Sequence, residues 1–472
     1  MAAPIEAGEE RRCQYFVERK KRYCKLIPGI GKNYCGEHIL FSSNVIEFSD
    51  RKRIPCPVDH KHTIYEDQLQ KHLKKCNAKV KQNYVYYKKD INAGSGDDAL
   101  EQSEVSISSM DQDHLNSIIF KVKKCHKDAK IMLRDEVLDH EVFREELDNS
   151  MNGISARKHL LQQSSLLGHL KKKKFLKNNT CFIEFGAGRG QLSHWLQKAL
   201  SDSTDVKFIL IDRGHNRRKL DCYHRNHGPK FERLNLDISD LDLASVPGIK
   251  DKSQPIVGIS KHLCGAATDL ALRCLITFNT DNNGSTSESK RDIPKEENVK
   301  VNDQEVNEPI AKRLCASSKD TPDKRQVSGT VFALCCHHRC NWKNYVGKEF
   351  FKEMGFSPEE FRVMTRLTSW AVCGTKKNDE SDHLVNDTES HNQGNTSETA
   401  QTSLNSKQPM SKSDGMNAEE RAEIGRQCKR LIDLGRVKYM QGHGFNVDLV
   451  YYIQQEISLE NVVFIASKSV KT

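Results

Sequence analysis

Two groups of cysteine and histidine stand in the first eighty residues at spacings suited to a metal ion. Cys13, Cys24, Cys35 and His38 form C-x10-C-x10-C-x2-H. Zinc takes four soft or borderline ligands in a tetrahedron, and a C-x2-H pair lets one tight turn supply two of them. The stretches between, "ERKKRY" and "KLIPGIGKNY", are basic, the second with glycines, so they fold only when something staples them. Cys56, His62, His72 and Cys76 form C-x5-H-x9-H-x3-C. His72 and Cys76 are four residues apart in "DQLQKHLKKC", on one face of a helix, with His60 an alternative to His62. Both groups read as structural Zn2+ sites, because each supplies four protein ligands. "CCHHRC", residues 335 to 340, has the same density of ligand side chains and poses the question of a third.

A different chemistry is written in "CFIEFGAGRGQLSHWL". An apolar run ends at Glu184, Gly186, Gly188 and Gly190 follow, and a helical pattern opens. The glycines permit positive φ and close backbone approach, and the start of a helix favours an anionic or polar ligand group. Asp212 ends the next apolar run, 22 residues after Gly190, and Asp237 follows a third, in "RLNLDISDL". Carboxylates there accept hydrogen bonds from ribose hydroxyls. The spacing is G-x-G-x-G, without the third glycine that suits a dinucleotide pyrophosphate. With Glu184, Asp212 and Asp237 in order, it resembles the class I methyltransferases, which bind S-adenosyl-L-methionine. NAD, or a turn with no ligand, is the alternative.

The elements that must position these residues follow from the hydrophobic rhythm. From Cys181 onward short apolar runs ("CFIEF", "VKFILID", "QPIVGIS", "TVFALCC") alternate with amphipathic stretches, the signature of an α/β domain with a parallel sheet. "NVDLVYYIQQ" and "NVVFIAS", separated by "EISLE", predict a closing hairpin. The expected organisation is a CCCH finger over 11–40, a CHHC finger over 53–80, a polar linker near 92–108, and a helical connector over 110–175. A Rossmann-like domain occupies 176–278 and 329–472, interrupted by polar, aromatic-poor insertions at 279–328 and 375–417 that are expected to be disordered.

"PIVGISKHLCGAATDLALRC" sets Lys261, His262 and Cys264 at the carboxyl end of the fourth strand, where ligands of open α/β sheets collect. "KHLCG" together with "CCHHRC" resembles a group of methyltransferases sharing such a pair. With the two fingers added, the arrangement is similar to the eukaryotic tRNA methyltransferases that modify the ribose 2′-oxygen at the fourth acceptor-stem nucleotide. The resemblance covers nearly the whole chain apart from the polar insertions. It implies S-adenosylmethionine-dependent 2′-O-methylation of tRNA. A ribose hydroxyl is a poor nucleophile, so the enzyme must align it and assist loss of its proton, with Lys261 or His262 the candidates. Lys261 could instead neutralise an RNA phosphate, His262 could support a neighbour, and Asp269 reads as a helix N-terminal charge. Adjacent strand residues point to opposite faces, which argues against a metal at "CCHHRC". That stretch is expected to be a second active-site loop, offering His337 or His338 to ribose or phosphate, with core packing of Cys335 the plainer alternative.

Composition supports this reading. The net charge is +10, and residues 1 to 90 hold 19 Lys/Arg against 11 Asp/Glu, so most of the excess sits beside the clusters. A basic module with tyrosines interleaved, as in "KVKQNYVYYKK", suits phosphate contact and stacking, although a solvated face would look similar. Sixteen cysteines without a secretory signal argue for thiols and metal ligands in a reducing compartment. No run of 18 apolar residues suggests a membrane span, so the chain is expected to be soluble and intracellular, in nucleus or cytoplasm. Two other functions compete: a zinc-finger RNA-binding protein with a non-catalytic methyltransferase fold, and a methyltransferase acting on protein.

Overall fold

The computed structural model describes residues 12–17, 22–24, 26–28, 33–35, 38, 53–58, 63–76, 84–96, 106–214, 220–224, 228–250, 254–283, 326–373 and 416–468. Two compact units divide the chain, Met1–Gln82 and Asn83–Thr472. The first contains two small antiparallel ribbons, β1 (Phe16–Val17) with β2 (Arg22–Tyr23) and β3 (Arg53–Pro55) with β4 (Thr63–Tyr65), and the helix α1 (Leu69–Lys75). Around β1 and β2 the buried cluster is Cys13, Cys24 and Cys35, with Tyr15, Val17 and Tyr34 against it. So little apolar surface does not hold a fold together unaided.

The second unit is built on one eight-stranded sheet. Its strands are β5 (Arg134–Asp135), β6 (Cys181–Phe185), β7 (Lys207–Ile211), β8 (Lys230–Leu234), β9 (Ile256–Cys264), β10 (Val327–Cys335), β11 (Phe445–Tyr451) and β12 (Val462–Lys468), in the order β5-β11-β12-β10-β9-β6-β7-β8. β8, β7, β6, β9 and β10 run parallel, and β12 enters antiparallel between β10 and β11, so the closing hairpin pairs as expected. Side chains alternate along the strands: Ile183 and Ile209 join the core on one face, Phe182 and Phe208 the core on the other.

Helices cover both faces: α2 (Gln112–Asp128), α3 (Ile154–Lys172), α4 (Gln191–Ala199), α5 (Ala266–Asn283), α6 (Pro358–Leu367) and α7 (Ala418–Gly442). α6 and α7 both begin with capping boxes, Ser357 with Glu360 and Asn417 with Glu420. Among the described residues no helix is long and apolar enough to cross a membrane.

Three expectations about organisation are corrected here. The segment 110–175 is helical, but it is part of the sheet's domain and not a connector to it: Leu166, Leu167 and Leu170 of α3 lie in the core beneath the sheet. Leu115, Ile118 and Val122 of α2 share a third core with α6 and α7. The polar linker begins later than its composition suggests, because Asn92 is 1% exposed and its side-chain amide donates to the carbonyls of Ile238 and Leu241, at 2.7 and 2.8 Å. Tyr86 and Tyr87 pack against the sheet's core instead of standing free. Lastly, α5 runs to Asn283 and β10 starts at Val327, inside the limits assigned to the first insertion; the rest of both insertions lies outside the described residues.

Candidate functional site

The glycine loop joins β6 to α4, and all three of its glycines have positive φ: 66° at Gly186, 51° at Gly188 and 77° at Gly190. A Cβ on Gly186 would stand 3.0 Å from the His262 carbonyl oxygen, so this glycine lets the loop lie against β9. A Cβ on Gly188 would meet nothing within 4 Å, which marks the open side of the loop. The loop is held from several directions. Asp212 accepts from Gly188 N at 2.5 Å and from Gly214 N at 2.6 Å, and Arg233 donates to the Gly188 carbonyl at 2.9 Å. Glu184 lies beneath, 4% exposed, accepting from Ser193 N and Oγ on the first turn of α4. Burial raises its pKa to about 7 against the pull of those hydrogen bonds. Asp237 accepts from Ser239 N and Oγ, capping a turn beyond β8.

The expected candidates on β9 sit at an irregularity. Phe332 pairs with Ser260 but Leu334 pairs with Leu263, so β9 carries one more residue than β10 across the Lys261–His262 step. Such a bulge re-aims side chains and is frequent beside active sites. Here Lys261 is 8% exposed with its Nζ 2.8 Å from Nδ1 of His159 on α3, and loss of water lowers its pKa to about 8. His262 is exposed at the rim, its ring 6.2 Å from that of His159 and nearly perpendicular to it. His159 belongs to this constellation and was not legible in the sequence, where it is one polar residue in a helical stretch.

The structure brings the "KHLCG" and "CCHHRC" motifs together but separates the roles expected of the second. Gly265, at φ 56°, abuts the backbone of Arg339. His338 is exposed on the same rim. His337 is not available to a substrate: it is 1% exposed, and its Nε2 lies 2.6 Å from Oδ1 of Asp433 on α7. Fully buried Asp433 also meets Arg436 at 3.3 Å. The Arg436 guanidinium holds both oxygens of Asp269, at 3.1 and 2.7 Å, and reaches the Gly265 carbonyl at 3.3 Å. Asp269 is therefore the inner partner of a bidentate ion pair, more than a helix N-terminal charge. The pair, with Asp433, fastens both motif loops to α7. Cys335 is buried, and Cys336 adopts a left-handed conformation (φ 51°, ψ 44°) that breaks strand alternation. Its thiol consequently gathers with those of Cys335 and Cys264, all within 4.8 Å, which corrects the argument that neighbouring cysteines here must diverge.

In the first unit the ligand atoms of Cys13, Cys24, Cys35 and His38 all lie within 4.8 Å of one another, as do those of Cys56, His72 and Cys76. His62, expected as the fourth ligand of the second set, lies outside the described residues, as does His60. Cys56 and Cys76 place their sulfurs 3.8 Å apart, and His72 Nε2 is 3.2 Å from Cys56. Buried thiols and imidazoles converging where apolar packing is scant fit zinc.

A glycine cradle with acids on successive strands, a parallel sheet and one antiparallel strand slotted beside the last define a Rossmann-like methyltransferase. The profile described as "Methyltransferase TRM13" matches residues 161–467. Residues 11–39 match "CCCH zinc finger in TRM13 protein", and 53–77 match "U11-48K-like CHHC zinc finger". The "tRNA:m(4)X modification enzyme TRM13 homolog" of Mus musculus is 41% identical over 96% of this chain and 94% of its own length. The Homo sapiens protein of that name is also 41% identical, over 97% and 94%. The Schizosaccharomyces pombe "tRNA:m(4)X modification enzyme TRM13" is 33% identical over 89% and 96%. The chain belongs to the TRM13 methyltransferase family. No solved structure matches it. Membership implies S-adenosylmethionine as the methyl donor and zinc in the two fingers.

Proposed function

We propose that this protein methylates tRNA, transferring a methyl group from S-adenosylmethionine to a ribose 2′-hydroxyl in the acceptor stem. The observation that carries this reading is the bulge in β9, which buries Lys261 beside the glycine loop with a pKa near that of a working base. The names of the relatives support tRNA as the substrate. The basic charge of the first ninety residues suits a polyphosphate partner.

The residues divide the work as follows. S-adenosylmethionine, when bound, supplies a methyl carbon made electrophilic by its sulfonium. Gly186, Gly188 and Gly190 would give it a backbone surface, and Asp212, whose oxygens each keep a second lone pair, would accept from its ribose hydroxyls. Asp237, beyond the next strand, is the remaining acid that would help to hold it. Glu184 acts from beneath by holding Ser193 and hence the start of α4. Neutral Lys261, about a tenth of the molecules at pH 7 for a pKa near 8, takes the proton of the acceptor hydroxyl. The ammonium so formed donates to His159 Nδ1. His262 and His338, exposed on the rim, contact ribose or phosphate. His337 has no part at the substrate.

Full-length protein incubated with methyl-labelled S-adenosylmethionine and bulk tRNA tests the reading. Nuclease digestion should release the label as a 2′-O-methylated nucleoside from the acceptor stem. Label on a base would overturn the acceptor atom, and label on protein would overturn the substrate class.

A further inference from the structure

Three thiols that the methyl-transfer reading does not use converge at the carboxyl ends of β9 and β10. Two departures from regular strand geometry bring them there. Without the bulge at Lys261–His262, Cys335 would stand opposite Leu263; with it, Cys335 pairs with Cys264. Cys336 would then point to the opposite face, had it continued the strand. Its left-handed backbone, disfavoured for any residue with a Cβ, turns its side chain back toward the other two. Strained backbone of this kind persists where the surroundings over-determine it, often at functional sites.

The resulting distances are those of a metal site. The Cys264 and Cys335 sulfurs are 3.7 Å apart, against 3.8 Å for Cys56 and Cys76 in the CHHC finger. Tetrahedral zinc with bonds of about 2.3 Å holds its sulfurs roughly 3.8 Å apart. A disulfide needs about 2.05 Å. Arg339 lies within electrostatic reach of Cys264, offsetting part of the charge of three thiolates. Cys264 and Cys336 are half-buried, so the fourth position of a tetrahedron opens toward solvent.

We infer that Cys264, Cys335 and Cys336 bind a third zinc ion as thiolates, cross-linking the "KHLCG" and "CCHHRC" loops at the rim of the sheet. Binding displaces the thiol protons to solvent, and the ion ties the end of β9, which carries Lys261 and His262, to the end of β10, whose following turn carries His338. The inference does not depend on the methyl acceptor.

Zinc per chain, measured by elemental mass spectrometry on reduced, zinc-loaded and desalted full-length protein, decides the matter. The expected value is about three equivalents, the two fingers accounting for two. Cys336→Ser, a surface-side change at the strand end, should hold about two, and Cys56→Ser with Cys336→Ser about one. Cys264→Ser should match Cys336→Ser, with unchanged far-ultraviolet circular dichroism showing that both fold. Cobalt loading should show a thiolate charge-transfer band that weakens in each variant. Two equivalents in the unaltered protein, or three retained in Cys336→Ser, would overturn the site. So would a Cys264–Cys335 disulfide in the isolated chain, found by peptide mass.

Discussion

Gly265 and the backbone of Arg339 touch so closely that a Cβ on the glycine would stand 2.4 Å from the Arg339 carbonyl carbon. That contact joins the two motif loops, and glycine also meets the positive φ of 56°. Gly265→Ala should therefore suffer both steric overlap with backbone and left-handed strain, about 3 kcal/mol or more. Gly188→Ala, at φ 51° but facing open space, should incur strain alone, about 1–2 kcal/mol. Urea unfolding of the two variants checks the order. Equal losses would mean that the Arg339 contact does not constrain the loops.

Arg436 is the hub behind that contact. It is 1% exposed and pairs with Asp269 and Asp433, both fully buried. Arg436→Met would leave buried Asp269 without its ion-pair partner and remove one of the cations beside Asp433, and should cost about 3–5 kcal/mol. Arg436→Lys should rescue little, since one ammonium cannot span both acids and the Gly265 carbonyl.

Acid should weaken the same hub in a defined window. The charges and hydrogen bonds of His337, Arg430 and Arg436 overcome burial and hold the Asp433 carboxyl at about 2. A depressed carboxyl contributes stability that is present above its unfolded pKa, about 3.9, and is lost as pH falls through about 2. Chemical denaturation between pH 5 and pH 2 should show a shallower acid limb for Asp433→Asn than for the unaltered chain.

These buried groups also mark how far the sequence could be read. The glycine loop, the strands around it, the first finger's quartet and three members of the second, Cys56, His72 and Cys76, were legible because each rests on local spacing that backbone geometry translates directly. His159, Asp433 and Arg436 were not, because they enter from helices far along the chain and a single polar residue in an amphipathic helix carries no sign of what it faces. His337 was misplaced for a related reason. Strand periodicity gives the parity of a side chain only while the strand continues, and Cys336 ends it with a left-handed turn. The linker misled because polar composition was read as exposure, whereas Asn92 is buried by hydrogen bonds that composition cannot reveal.

Zinc removal should act unevenly along the chain. Residues 1 to 82 form a unit whose buried cluster is largely cysteine, whereas the sheet rests on its own apolar cores. A strong chelator should therefore raise amide hydrogen exchange in peptides from 12–17 and 63–76 to near the unfolded rate. Peptides from 181–185 and 207–211 should stay protected. tRNA binding should fall with the fingers, and loss of protection across β6 and β7 instead would show that the sheet needs the metal.

The pH dependence of the reaction isolates Lys261. Burial lowers its pKa to about 8, so the neutral amine grows with pH up to that value. With S-adenosylmethionine saturating, kcat/KM for tRNA should rise about tenfold per pH unit below the midpoint and level off above it. Lys261→Arg, always charged, should lose about 10²–10⁴-fold in rate while still binding S-adenosylmethionine. His159→Phe removes an acceptor that favours the ammonium, so the midpoint should move below that of the unaltered enzyme. Stability offers a second reading of the same group. Its folded pKa lies below the unfolded value near 10.4, so the buried cation weakens the fold at pH 7, and this penalty vanishes once both states are neutral. Lys261→Met should accordingly be more stable than the unaltered chain at pH 7 and lose that advantage above about pH 10.4. A rate profile flat through pH 8, with the stability gain intact, would leave Lys261 buried as described but remove it from proton transfer.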